Sequence, residues 1–260
     1  MPEPFSLAKW YLDFLDSNGS GGIIYVAELC WSGLRMCYAS TLTVADGTIG
    51  SKTSIRTCKL PKIDSGKIVV QLPRLGVEGA WEGLAHPIER EILASEQGAV
   101  QWNCLQPAAR VSCVLGGRKT EGLGYAELLH LTMAPWKLPI RGLHWGRFVS
   151  ETDSLVWIDW CGPFCYRLLL HNGKQVDAIS ITAQEIQSSV LSLTLDRGLI
   201  LRSGELGSTV FPSIRKLAAY VPGRMLRLSE CKWRSRAVLQ HEGRSISGWA
   251  IHEVVRWPEE

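Results

Sequence analysis

What most constrains this chain is the spacing of its turn signals. Short runs rich in β-branched and aromatic residues alternate with Gly-, Asn- and Asp-containing breaks at roughly 8–12-residue intervals. KWYLDFLD (9–16) stops at Ser17-Asn18-Gly19-Ser20-Gly21-Gly22. IIYVAELCW (23–31) follows, with Ile23, Ile24 and Val26 crowded in a way that suits a strand better than a helix. Further strand-like runs are MCYASTLTV before the hairpin signal Ala45-Asp46-Gly47, KIVVQL (67–72), and pieces around Trp102 and Val111–Leu115. Past Ser154 the pattern continues as SLVWIDW, FCYRLLL, AISIT, SVLSLTL, GLILRS, MLRLSECKW, SRAVLQ and SISGWAIHEVVRW. Helical turns are expected only at Pro87–Ser95 and Pro212–Tyr220. No long amphipathic helices alternate with the strands, which argues against a doubly wound fold. The expected class is antiparallel all-β, a sandwich or a barrel.

Composition narrows the function classes. At 260 residues, 46% hydrophobic and 20% charged, the chain is that of a globular protein with a sizeable core. Its 28 basic residues are scattered and the net charge is only +3, so no nucleic-acid partner is expected. The N-terminus lacks a basic n-region and an apolar h-region, and no apolar run approaches the ~18 residues of a membrane span. A cytoplasmic protein is expected, with at most transient contact with a membrane surface. The eight cysteines are then thiols. Cys161-x-x-x-Cys165 is the only close pair and has no second pair or His at finger spacing, so no zinc site is expected. The six histidines form no HxH or HxxxH pair. Gly122-x-Gly124 lacks the third glycine of a dinucleotide fingerprint, and neither a G-x-S-x-G elbow nor a phosphate loop occurs. No metal and no cofactor is expected.

What remains is carboxylates among aromatics. In the stretch from Gly122 to Phe148, Tyr125 and Glu127 are two apart in a strand-like run and project to the same face. Such a pair is either chemistry or a core tyrosine beside a solvated glutamate at a sheet edge. Asp13, Asp159, Glu28 and Glu253 also sit in apolar strand contexts; Asp13 and Asp159 read as turn caps, Glu28 as facing water. A carboxyl in an apolar cavity holds its proton and can serve as a general acid. The 11 tryptophans suit a Trp-rich core or an apolar pocket, and aromatic faces stabilise a cation by roughly 0.5–2 kcal/mol each. An internal repeat is also visible. Tyr11-Leu12-Asp13-Phe14 matches Trp157-Ile158-Asp159-Trp160, and Gly124-Tyr125-Ala126 with Glu127 recurs as Gly248-Trp249-Ala250 with His252-Glu253. Two related β lobes are expected, 1–150 and a smaller 151–260.

Trp102…Pro107-Ala-Ala-Arg-Val, followed by Gly122-x-Gly124-Tyr125-x-Glu127, resembles carotenoid 1,2-hydratase and its AttH-like, lipocalin-like relatives. The opening KWYLDFLDSNGSGGIIY is similar to that family's aromatic start, and GWAIHEVV to its C-terminal "HE" segment. The resemblance implies two lipocalin-like (calycin-type) antiparallel β-barrel lobes with few short helices. Its relatives include tocopherol-cyclase-like proteins and pericyclases that fold a polyene for Diels–Alder closure. The family's site uses a His-x-Trp and a Tyr-x-Asp element. Here Trp102 keeps the tryptophan while Val100 stands in the histidine's place; Tyr125 is kept and Glu127 replaces the aspartate. Hydration therefore does not transfer safely, whereas glutamate is still an acid and leaves proton-driven cyclisation open. The resemblance implies Glu127 and Tyr125 as catalytic residues, with Trp102, Trp10, Tyr11 and Trp145 lining a barrel pocket for an apolar isoprenoid or polyene. A pericyclase, or a non-catalytic carrier of a hydrophobic ligand, is the alternative.

Overall fold

In the computed structural model, which describes residues 5–55, 59–210 and 221–258, the strand-like runs assemble into two antiparallel sheets. The first holds β1 (Ser6–Leu15), β2 (Gly21–Trp31), β3 (Leu34–Ala45), β4 (Thr48–Ser54), β5 (Lys62–Asp64), β6 (Lys67–Leu72), β7 (Val77–Gly83), β8 (Ile88–Ser95), β9 (Gly98–Leu115) and β10 (Arg118–Leu131). Their order is β4-β3-β2-β1-β10-β9-β7-β6-β5, with β8 also paired to β9. The second holds β11 (Gly142–Val149), β12 (Ser154–Cys161), β13 (Tyr166–His171), β14 (Lys174–Gln175), β15 (Ala178–Ile181), β16 (Glu185–Ser188), β17 (Leu191–Leu195), β18 (Leu199–Glu205), β19 (Ser229–His241) and β20 (Arg244–Arg256). Adding ten to each strand number of the first order gives the second: β14-β13-β12-β11-β20-β19-β17-β16-β15, with β18 on β19. The protein is all-β, and its described helices are single turns, among them Leu206–Thr209 and Gly223–Leu226.

The chain divides into two units, Met1–Lys137 and Leu138–Glu260. A boundary at 150 would assign β11 to the first lobe, but β11 pairs with β12 and β20 of the second sheet. Of the two sequence matches, Gly124-Tyr125-Ala126 and Gly248-Trp249-Ala250 fall on equivalent last strands, β10 and β20. Tyr11–Phe14 lies on β1 and Trp157–Trp160 on β12, the first and second strands of their lobes, so that match is not a structural equivalence.

Alternation along β1 sends Trp10, Leu12 and Phe14 to one face, where they join Ile24, Val26, Ile68, Val70, Trp81, Val111 and Ala126 in a single apolar cluster. The sheet must curl to allow this. β1 and β7 are three steps apart in the strand order, about 14 Å in a flat sheet. Yet Trp81 of β7 donates its indole N–H to the Asp13 carbonyl at 2.9 Å and packs edge-on against Phe14 at 6.0 Å. The second unit repeats the plan with Phe148, Leu155, Trp157, Leu169, Leu193, Leu239 and Ala250. Each fully buried side chain of this size contributes about 1.5–3 kcal/mol.

Three local expectations change. Pro87–Ser95 is not helical: Ile88–Ser95 is a strand paired with β9. Ile88 and Ile92 are four apart, a spacing that fits a helical turn and strand alternation equally, and the free edge of β9 decides for the strand. Asp13 and Asp159 do not cap turns: both are buried within strands, and Asp159 is ion-paired with Arg167. Glu28 is half-buried and bonded to Arg35 rather than simply solvated. The Pro212–Tyr220 expectation lies outside the described residues. No described helix is long and apolar enough to cross a membrane.

Candidate functional site

The candidate site is built by β10, β9 and β1. β10 keeps close contact with β1 only because residue 124 is glycine: a Cβ there would stand 2.1 Å from the Asp13 carbonyl oxygen and 2.7 Å from Val111. Immediately after it the register with β9 shifts. Gly124 faces Ala109, Ala126 faces Gln106 and Glu127 faces Cys104, so β9 carries extra residues around Pro107. Proline has no N–H for the ladder, which suits it to such a bulge. The bulge lets the first half of β9 pair with β8 and the second half with β7.

Alternation then places Tyr125 and Glu127 on one face of β10, with Trp102 and Cys104 beside them on β9 and Tyr11 opposite Glu127 on β1. The Glu127 carboxylate accepts two hydrogen bonds on one oxygen, Oε2: from Trp102 Nε1–H at 2.5 Å and from the Tyr125 hydroxyl at 2.7 Å. Tyr125 and Cys104 are fully buried, Trp102 nearly so, and Glu127 is 8% exposed. Tyr11 packs edge-on against Tyr25 at 5.4 Å and against Tyr125 at 6.0 Å. Burial, then the neighbouring Cys104 and Glu127, hold the Tyr125 phenol well above its ordinary pKa. Tyr125 is therefore an O–H donor to the carboxylate across the accessible pH range. Burial likewise keeps the Cys104 thiol protonated, hydrogen-bonded to Tyr125.

The placement differs from the sequence expectation in two respects. Glu127 is not inside the apolar core of its lobe. It sits on the opposite face of the sheet, a face that is nonetheless buried. Trp10 is not with it: Trp10 pairs with Leu128 and belongs to the core cluster, because neighbouring residues of a strand point to opposite sides. Trp102 and Tyr11 do share the face of Glu127, and Trp145 lies in the second unit on β11. Val100, at the position where the resemblance expects histidine, is a buried aliphatic residue. Sequence reading missed Cys104 and Tyr25. Cys104 could have been found by alternation, since Trp102-x-Cys104 runs beside Tyr125-x-Glu127.

The second unit carries a glutamate at the corresponding place. Glu253 on β20 faces Trp145 on β11 and Lys232 on β19, as Glu127 on β10 faces Tyr11 on β1 and Cys104 on β9. Here the carboxylate is ion-paired with the Lys232 ammonium, which is 2% exposed and lies 5.5 Å from the centre of the Trp145 ring. On the other face of β20, His252 is buried, hydrogen-bonded to Ser235 at 3.0 Å and stacked on Trp233 at 5.2 Å. Burial and, next, the Lys232 charge lower its pKa to about 4. Among the described residues no cluster of three or more His, Cys, Asp or Glu side chains could hold a metal.

No protein-family model and no curated protein matches the sequence. Solved structures do match the fold. CghA aligns over 99% of this chain and 90% of its own with a TM-score of 0.61 at 12% identity. CghA with Sch210972 aligns over 98% of this chain with a TM-score of 0.59. Kievitone hydratase from Nectria haematococca aligns over 97% of this chain and 89% of its own, TM-score 0.56, 11% identity. An AttH-type protein from Nitrosomonas europaea aligns over 98% and 93%, TM-score 0.59, 10% identity. The chain thus has the AttH-like, lipocalin-like fold across its whole length.

Proposed function

We propose that the protein is a cofactor-independent enzyme that protonates a C=C bond of an apolar isoprenoid or polyene and so starts its cyclisation, with Glu127 as the acid. The observation that carries this reading is the convergence of two neutral donors, Trp102 N–H and Tyr125 O–H, on one oxygen of a buried carboxyl group flanked by aromatic rings. In the step, the alkene π pair takes the Glu127 proton to form a C–H bond and leaves a carbocation. The new carboxylate is stabilised by the two donors already aimed at Oε2, which strengthen as negative charge develops there. A second C=C captures the cation to close a ring, and loss of a proton to Glu127 completes the cycle. Capture by water would give hydration instead. Val100 supplies no base to activate that water, which favours cyclisation. Kievitone hydratase, a fold relative, keeps hydration as the competing product.

The test is incubation of the protein with a panel of linear prenylated and polyene compounds, with products read by mass. Isomers of unchanged mass mean cyclisation, and a gain of one water means hydration. Glu127→Gln should lower formation of either product by roughly 10²–10⁴-fold while the protein stays folded, and undiminished turnover removes Glu127 from the mechanism. The likeness to CghA with Sch210972 supports a second reading, in which the aromatic face only holds a small molecule in a reactive or stored conformation. In that case Glu127→Gln costs little and Trp102→Ala costs much.

A further inference from the structure

The Cys161-x-x-x-Cys165 pair plays no part in the site above, and its register gives it a chemistry of its own. β12 and β13 pair as Leu155–His171 through Trp160–Tyr166. One step further in the same register, Cys161 stands opposite Cys165 across the three-residue tip Gly162-Pro163-Phe164. The kind of pair follows from the backbone. The Cys161 carbonyl accepts from Arg141 N–H on the β11 side at 2.8 Å, whereas that of Ser154, seven residues earlier and of opposite parity, accepts from Asn172 on the β13 side. Cys161 and Cys165 therefore form a non-hydrogen-bonded pair, the closer of the two antiparallel kinds, with Cα atoms about 4.5 Å apart. That lies within the range of roughly 4.4–6.8 Å that a disulfide spans.

The tip is held in place. Trp160 donates to the Pro139 carbonyl at 3.3 Å, and a Cβ on Gly162 would meet the same carbonyl at 2.8 Å. Both cysteines are exposed, and both are free thiols. Asp159 and Arg167, ion-paired on the same face, are close enough to both the hairpin and the Cys161 sulfur to influence its titration.

We infer that Cys161 and Cys165 are a redox-active dithiol that closes into a cross-strand disulfide on meeting a low-molecular-weight disulfide. Partial desolvation, then Asp159 and Cys165, hold the Cys161 thiol above its ordinary pKa, which slows its attack. Cys165 loses its proton to water and attacks one sulfur of the reagent, whose S–S bond breaks and releases one thiol. Cys161 then gives its proton to water and attacks the Cys165 sulfur, releasing the second thiol. Two cysteine thiols are oxidised and one reagent disulfide is reduced to two thiols.

The experiment uses the full chain, reduced, freed of reductant and mixed with oxidised glutathione, followed by intact mass and peptide mapping. The expected result is loss of two hydrogens at this hairpin, a cross-link between Cys161 and Cys165, and no glutathione retained on either. Cys161→Ser should retain one glutathione on Cys165, because the resolving thiol is gone. Cys165→Ser should take up glutathione at Cys161 more slowly than Cys161→Ser does at Cys165. Glutathione retained at both wild-type positions, no reaction at either, or a cross-link joining one of them to another cysteine overturns the inference.

Discussion

Glu127 and Glu253 occupy the same place in two copies of one sheet, and their surroundings differ. Each lies on the last strand of its lobe, opposite an aromatic residue of the first strand. In the first lobe the ninth strand offers Cys104 and Trp102, and the carboxylate is bonded by an indole and a phenol. In the second the ninth strand offers Lys232, and the carboxylate is ion-paired. An ammonium neutralises the charge of the carboxylate it faces, whereas two neutral donors among aromatic rings leave a buried carboxyl group without a countercharge, the setting on which the proposed general-acid role of Glu127 rests. The two surroundings differ at three positions, Cys104 against Lys232, Trp102 against Glu230 and Tyr125 against Ile251.

The comparison can be broken or sharpened by experiment. The largest effect is expected from Glu127→Gln, which should lower turnover by roughly 10²–10⁴-fold with an unchanged melting temperature, whereas Glu253→Gln should leave the chemistry nearly intact. Equal losses of turnover would erase the distinction. Next, Glu253→Gln takes the carboxylate partner from a buried ammonium and should cost about 3–5 kcal/mol in chemical denaturation. Combining it with Lys232→Met should recover most of that loss.

His252 gives a further contrast, because the residue immediately before the glutamate is Ala126 in the first lobe and a histidine in the second. With its pKa at about 4 when folded and about 6.5 when unfolded, His252 binds fewer protons in the native state throughout that window. Stability therefore falls as pH drops from 6.5 towards 4, by about 3 kcal/mol in all. His252→Gln should flatten the acid limb of the melting-temperature profile, and an unchanged limb would place the acid sensitivity elsewhere. The smallest effect is expected from Tyr125→Phe. It removes one of two donors to Oε2 and should reduce turnover about 5–10-fold, for about 1 kcal/mol, with little change in substrate affinity.

Much of the architecture was legible in the chain. Turn signals at regular spacing marked nearly every strand, and Gly124-Tyr125-Ala126 against Gly248-Trp249-Ala250 disclosed the duplication at equivalent strands. Tyr125 and Glu127 were legible as a pair because strand alternation is strictly local. Ile88–Ser95 was not legible as a strand although its partner is local: Ser95 pairs with Gly98 across the two-residue turn Glu96-Gln97, a dipeptide that carries none of the usual hairpin signals. Trp10 was misplaced for another reason: an aromatic residue next to Tyr11 looks equally suited to a pocket, and only the direction of sheet curl tells which face of β1 becomes the core. Cys104 went unnoticed because its partner Tyr125 is 21 residues away along the chain.

By itself, then, the sequence determined the period-2 pattern, the turns between strands and the neighbours two positions apart, since these depend on backbone geometry within a few residues. Only the tertiary structure decided which face of each strand is core, that Trp102 and Tyr125 meet on one oxygen of Glu127, and that Glu253 receives a lysine instead. Those outcomes depend on the register between paired strands and on the curl of the sheet, and a bulge at Pro107 or a close approach at Gly124 resets that register without any signal in the alternation itself.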